Sequence, residues 1–220
     1  DSTHDNPSDF SPGWQLSLAQ TITIKADGSL LHRDDNAVYN TFIPATMGYK
    51  INPAQNSDIQ SVDFTSEGLL RITDLTGRSK DFELSGEHYR LVTITDNNGN
   101  RLTLSYHNNR ISQISGANNR SISLQRDDNG RIISASDDSN RVVSYHYNKQ
   151  NQLSAVDDLG TNRWQYRYHG NQQLHKVIDP SHQQAAEFNF NHNGKAKSVN
   201  IRGQKYRYRY KNNQTHIKDE

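Results

Sequence analysis

The sequence predicts an all-β protein: an antiparallel meander of short repeats forming a curved, partly wrapped sheet, as in a segment of a shell. Three observations carry this expectation. Apolar and polar side chains alternate with a period of two, Asp, Asn and Gly turn residues recur at even spacing, and the last two thirds of the chain repeat themselves about every 21 residues.

The alternation is plainest in K-Y-R-Y-R-Y-K, residues 205–211. A strand places successive side chains on opposite faces. Tyr206, Tyr208 and Tyr210 then share one face, and Lys205, Arg207, Arg209 and Lys211 share the other. R-W-Q-Y-R-Y, residues 163–168, reads the same way, with Trp164, Tyr166 and Tyr168 on one side. No segment shows sustained helical periodicity.

The repeat appears when the second half is laid over itself. Copies run from Asp96 to Ser115, Asp137 to Val156, Asp158 to Ile178 and Asp179 to Val199, with weaker ones near Asp74 and Ala117 and a last one from Ile201 to Lys218. Each has a turn, an alternating strand, a second turn such as Asn108-Asn109 or Gly170-Asn171, and a shorter strand such as Leu174 to Ile178. Two strands and two tight turns per copy spell a meander. The aromatic residues Tyr145, Tyr147, Trp164, Tyr166, Tyr168, Phe188, Phe190, Tyr208 and Tyr210 fall on equivalent strands of the copies and form the expected structural core. Trp164 is expected to be buried between neighbouring rungs. The organisation that follows is an N-terminal β-rich region over 1–70 and about seven repeats over 71–220.

Composition bounds the function. Hydrophobic residues make up 31% of the 220 and mean hydropathy is −0.99, polar for a folded chain but compatible with a sheet that buries one face. The net charge of +1 gives no global attraction to nucleic acid or anionic membrane. Charge is uneven, however, since residues 188–218 hold several Lys and Arg and no acid. Without cysteine there is no disulfide, thiol catalysis or cysteine-type zinc site. No apolar run approaches membrane-spanning length.

Tyr145-His146-Tyr147-Asn148 followed by Leu153 to Asp157, Asp96-Asn97-Asn98-Gly99-Asn100-Arg101-Leu102, and Gly130-Arg131-Ile132 together resemble the RHS or YD-repeat family, with its signature G-x-x-x-x-Y-x-Y-D-x-x-G-x-L. The likeness covers roughly residues 70–218, and Asn148, His169, Asn191 and Lys211 stand where the family has Asp. Gly13-Trp14, the Asp27-Gly28 turn and Tyr89-Arg90-Leu91 are similar to the β-rich region that precedes the repeats in bacterial members. The resemblance implies a spiralling sheet that encloses a toxin in bacterial polymorphic toxins, or forms an adhesion module in teneurins. It implies a non-enzymatic scaffold, bacterial and secreted or cell-surface, processed or excised from a longer chain, that encloses or presents a toxin domain or partner protein.

The candidate sites follow from the same strands. Lys205, Arg207, Arg209 and Lys211, with Arg167, form a basic face suited to an acidic glycan, protein or nucleic acid, which is the alternative function. The ten histidines read as polar turn and surface residues, and Asp127-Asp128-Asn129-Gly130 and its kin read as β-turns rather than calcium loops, lacking a closing acid. Asp179-Pro180 lacks the Gly-Leu of the family's self-cleaving site. No catalytic, metal or cofactor site is expected. An open terminal strand predicts edge-to-edge self-association near Tyr206 to Tyr210 or near Trp14.

Overall fold

The computed structural model describes residues 9–36, 38–46, 48–52, 58–160, 162–211 and 214–219. Among these lie twenty strands and one short 3-10 turn, Ala117–Asn119. The chain divides into two compact units, one of residues 15–125 with 136–140, the other of 1–14, 126–135 and 141–220.

The first unit holds β1 (Thr21–Ile24), β2 (Leu30–Arg33), β3 (Tyr39–Pro44), β4 (Tyr49–Ile51), β5 (Ile59–Phe64), β6 (Leu70–Asp74), β7 (Ser79–Ser85) and β8 (His88–Thr95). Each pairs antiparallel with the next. β1 also returns to β8, with Thr21 opposite Arg90, Ile22 opposite Tyr89 and Thr23 opposite His88. These eight strands therefore close into a ring, which leaves β1 no open edge. The expected wrapping is complete here, and the expected boundary at 70/71 falls within β6. Residues 15–20, which lead into β1, are irregular.

On the edge away from β7, β8 serves two neighbours. Its first three residues close the ring, while Thr93–Thr95 pair with β9 (Arg101–His107), which leads to β10 (Arg110–Ser115) and β11 (Ser121–Arg126). The handover sits at a bulge. Asp81 pairs with Thr93 and Phe82 with Leu91, so Val92 is an extra residue that bends the strand.

Inward positions of the ring are apolar: Ile22, Leu30, Phe42, Val62, Leu70, Phe82 and Leu91 are fully buried. The alternation is visible in β2, where Leu30 and His32 are buried and Leu31 and Arg33 half-buried. On the other face of β7, buried Asp81 takes a two-pronged bond from Arg71 at 2.6 and 2.8 Å. At one end of the ring the inward row turns polar, with His32, Asn40 and Lys80 all buried.

The second unit carries β13 (Val142–Tyr147), β14 (Leu153–Asp157), β15 (Arg163–Tyr168), β16 (Leu174–Ile178), β17 (Gln184–Phe190), β18 (Ala196–Ile201), β19 (Gln204–Lys211) and β20 (Gln214–Asp219), each antiparallel to the next. β12 (Ile132–Asp137) begins in this unit. The turns into the repeats share one device. A side-chain oxygen of Asp74, Asp96, Asp127, Asn148, Asp179 or Asn191 accepts the backbone N–H groups two and four residues on. The residue three on has positive φ, and here glycine is favoured, as at Gly77, Gly99, Gly130 and Gly194. His182 takes this strained position with φ 62°.

A second device links the copies. Four hairpins carry one extra residue at the same place: Ser112, Ser154, His175 and Lys197 are skipped by the pairing register, while the β19–β20 hairpin pairs without a shift. The second aromatic of the repeat donates its hydroxyl to a carbonyl one hairpin back. Tyr106 reaches Leu91, Tyr147 reaches Ile132, Tyr168 reaches Leu153 and Tyr210 reaches Ala196. The residue before the acceptor is often a cation lying over the same ring: Arg90 over Tyr106 at 4.4 Å, Arg131 over Tyr147 at 4.1 Å, Lys195 over Tyr210 at 5.0 Å. The Gly-Arg-Ile element thus supplies both a π-facing cation and a carbonyl acceptor.

Two outcomes follow. Tyr147→Phe keeps the ring and its Arg131 but strands the Ile132 carbonyl, and it should lower stability by about 1–2 kcal/mol in urea unfolding. For His32, burial first and the neighbouring Lys80 second push the pKa from 6.5 down to about 3. The unfolded chain takes a proton at this residue below about pH 6.5 while the folded chain refuses it, so stability is complete above that pH and falls with acidification. The slope from this residue is at most about 1.4 kcal/mol per pH unit. Unfolding midpoints should drop between about pH 6.5 and 5 in the native chain and drop less in His32→Gln.

Candidate functional site

The two faces of the second unit differ in kind. The register sets Tyr145 opposite Val156, Val156 opposite Trp164, Tyr166 opposite Val177, Phe188 opposite Val199, Val199 opposite Tyr206 and Tyr208 opposite Ile217. This is the aromatic face. Tyr145, Tyr147, Tyr166, Tyr168, Phe188, Phe190 and Tyr208 are half-buried on it. Trp164, expected to be buried, is also only half-buried, with Val156 as its cross-strand partner.

Part of this face is covered by the chain's own residues 9–14. The Phe10 ring lies 5.0 Å from Tyr145, and Trp14 meets Tyr166 edge-on at 4.9 Å. Trp14 Nε1 donates to the Tyr168 hydroxyl at 2.9 Å, the Ser11 hydroxyl accepts from Leu153 N–H, and Asp9 pairs with Arg126 at 2.7 Å. The strap engages Tyr145, Tyr166 and Tyr168. Farther along, Tyr210 is 38% exposed and Ile217 62%.

On the opposite face one row of paired residues crosses five strands: Arg167, Lys176, Glu187, Asn200 and Lys205. Arg167 and Lys205 thus stand about 19 Å apart, four strand spacings, with an acid between them. Glu187 is held by His175 at 3.2 Å and Lys176 at 3.6 Å. Arg167 is therefore placed away from the main basic group. Arg207 lies directly opposite Lys218, and Arg209 opposite His216. Like charges set opposite each other cost stability, so folding alone does not call for this arrangement. Arg207, Arg209 and Lys211 are exposed and Lys205 is half-buried. A groove of about 1050 Å³ gathers Lys195, Lys197, Arg207, Arg209, Lys211 and Lys218 with Tyr208 and Tyr210.

Two arrangements here escaped the sequence reading. Arg163 holds Asp157 through two bonds of 2.6 Å, His146 adds a third at 2.7 Å, and together they keep this carboxyl well below the usual carboxylate range. His169 and His175 stack at 4.1 Å, and His169 Nε2 meets the Phe188 carbonyl. Neither pair is sequence-adjacent, and only the register reveals them. Among the described residues no group of three or more His, Asp or Glu is placed to hold a metal ion. Among the described residues no helix is long and apolar enough to cross a membrane. Asp179-Pro180 occupies an ordinary turn, its Asp bonding Ser181 and Gln183 N–H groups.

A search of curated proteins found no match. Among solved structures, the chain is similar to the complex described as TcdB2-TccC3-Cdc42, at 11% identity over 89% of this chain and TM-score 0.42. It is similar to TcdB2-TccC3, at 10% identity over 88% and TM-score 0.40, and to the Photorhabdus luminescens Tc holotoxin pore, at 12% over 84% and TM-score 0.33. It spans only 12%, 14% and 15% of those chains respectively. The teneurin YD-shell family model matches residues 48–219. With the antiparallel ladders, the repeated tyrosine bond and that match in hand, the chain belongs to the teneurin YD-shell family.

Proposed function

We propose that the chain is a non-enzymatic scaffold, a segment of a secreted or cell-surface shell whose aromatic face encloses or presents another stretch of polypeptide, such as a toxin domain. One observation carries this reading: on that face the chain already holds an irregular, turned piece of polypeptide, residues 9–14. Phe10 and Trp14 supply the rings, and Ser11 and the Trp14 indole N–H supply the hydrogen bonds. The aromatic positions continue past the strap to Tyr208, Tyr210 and Ile217, where apolar surface stands exposed. A second stretch with aromatic and small polar residues would find the same chemistry there, since each ring offers large apolar area with a polar edge.

The opposite, basic face supports a second reading, a contact for an acidic glycan, protein or nucleic acid. The facing Arg207–Lys218 pair favours it, since it sets two cations directly opposite each other.

A photo-crosslinking residue in place of Ile217, in the protein expressed from its native gene, should join to one defined peptide of the same polypeptide or of its co-produced partner. The same residue at Arg207 should not join to that peptide. Diffuse or absent products at position 217 would contradict the scaffold reading. For the basic face, Lys205, Arg207 and Arg209 changed together to Gln should elute from heparin at clearly lower salt than the native chain. Unchanged elution would leave the patch a solvated surface.

A further inference from the structure

The polar end of the eight-stranded ring encloses a cavity of about 170 Å³, lined by His32, Asp34, Asp35, Asp58, Arg78 and Lys80 among others. Inward positions elsewhere in the ring are apolar, so three buried polar residues in one row ask for a reason. Their hydrogen bonds can be followed one group at a time. Gln20 Nε2 donates to the Ser17 carbonyl, which fixes the amide and makes Oε1 its acceptor end. Onto that oxygen converge Lys80 Nζ at 3.1 Å and His32 Nε2 at 3.3 Å. His32 must therefore carry its proton on Nε2, leaving Nδ1 a bare lone pair. That atom has no partner among the described residues, although the ring is only 2% exposed.

The other groups divide cleanly. Lys80 is committed to Gln20 and to Asp35 at 3.6 Å, and Arg78 to Asp74 at 3.0 Å. Asp34 spends one oxygen on the N–H groups of Asn36 and Val38. Among the groups that remain are three acceptors, His32 Nδ1, the second Asp34 oxygen and the exposed Asp58 carboxylate, beside donors on the Arg78 Nη atoms and the Asn40 amide. Formal charge on the lining is negative, four Asp against Arg78 and Lys80. Ile59 and Ile72 add a short apolar wall.

We propose that this cavity binds a small organic cation through a primary ammonium group. Three N–H donors and a positive charge match the unfilled lone pair and the two carboxylates, and a short alkyl chain matches the isoleucines. An anion meets the wrong charge here. A neutral polyol would bring hydroxyl donors but leave the carboxylate charge unanswered. The space takes only a few heavy atoms, well under a drug-sized ligand.

The test uses the full chain labelled with 15N histidine, titrated with n-butylammonium chloride against matched sodium chloride at neutral pH. Long-range proton–nitrogen spectra report the His32 Nδ1 directly. A saturable upfield shift of that nitrogen is expected as it accepts an N–H, with at least about tenfold weaker binding in Asp58→Asn, a surface change that should leave the fold intact. Nα-acetyl-lysine N-methylamide forms a parallel arm: saturation by it but not by butylammonium would place the ammonium on a partner's lysine side chain. An unmoved Nδ1 in both arms, equal affinity in Asp58→Asn, or a shift produced by glycerol and not by either amine would each overturn the proposal.

Discussion

The bond from a tyrosine hydroxyl to a backbone carbonyl one hairpin earlier keeps successive hairpins in step, and much else in the repeats is arranged around it. The donor must stand on the aromatic face, which the two-residue alternation ensures. The acceptor must be turned toward it, and at Ile132, Leu153 and Ala196 it is the first residue of its strand. At Leu153 the carbonyl receives Tyr168, while the extra residue Ser154 follows at once. The cation before the acceptor then lies over the donor's ring at Tyr106, Tyr147 and Tyr210. Each bond is worth only about 1 kcal/mol, and its value comes from repetition along a sheet that has few fully buried side chains to rely on.

One-faced burial explains the rest of the second unit. A polar chain with 31% hydrophobic residues cannot fill a thick core, so it covers one face of a sheet and leaves the other wet. The covered face borrows Phe10 and Trp14 from a distant part of the chain. The ring of the first unit solves the same problem differently, by closing β1 onto β8 and facing its apolar side chains inward. Its polar end row departs from that economy, and the unsatisfied His32 nitrogen lies in that row.

Local pattern made the meander legible. The bounds read for β15 and β16, Arg163 to Tyr168 and Leu174 to Ile178, are those of the structure, because alternation and Asx turns are properties of neighbouring residues. Ring closure was not legible: Thr21 meets Arg90 through backbone groups that every residue possesses, so nothing in either strand announces the partner. The strap of residues 9–14 was equally hidden, since an irregular segment has no period, although isolated Phe10 and Trp14 in so polar a stretch were a signal. Of the basic residues, four share one strand, as their spacing implied. Arg167 shares their face but lies four strands off, a distance that only the register of β15 to β19 supplies.

Phe190 is the natural exception, since it stands at the position of Tyr147, Tyr168 and Tyr210 but has no hydroxyl to give. Residue-level amide exchange on the intact chain therefore reads the tyrosine bond without any substitution. If that bond holds the hairpins in step, amides paired between β15 and β16, anchored through Tyr168, will exchange more slowly than those paired between β17 and β18, where Phe190 leaves the bond unmade. Equal protection of the two hairpins, or slower exchange in the Phe190 hairpin, would contradict the account.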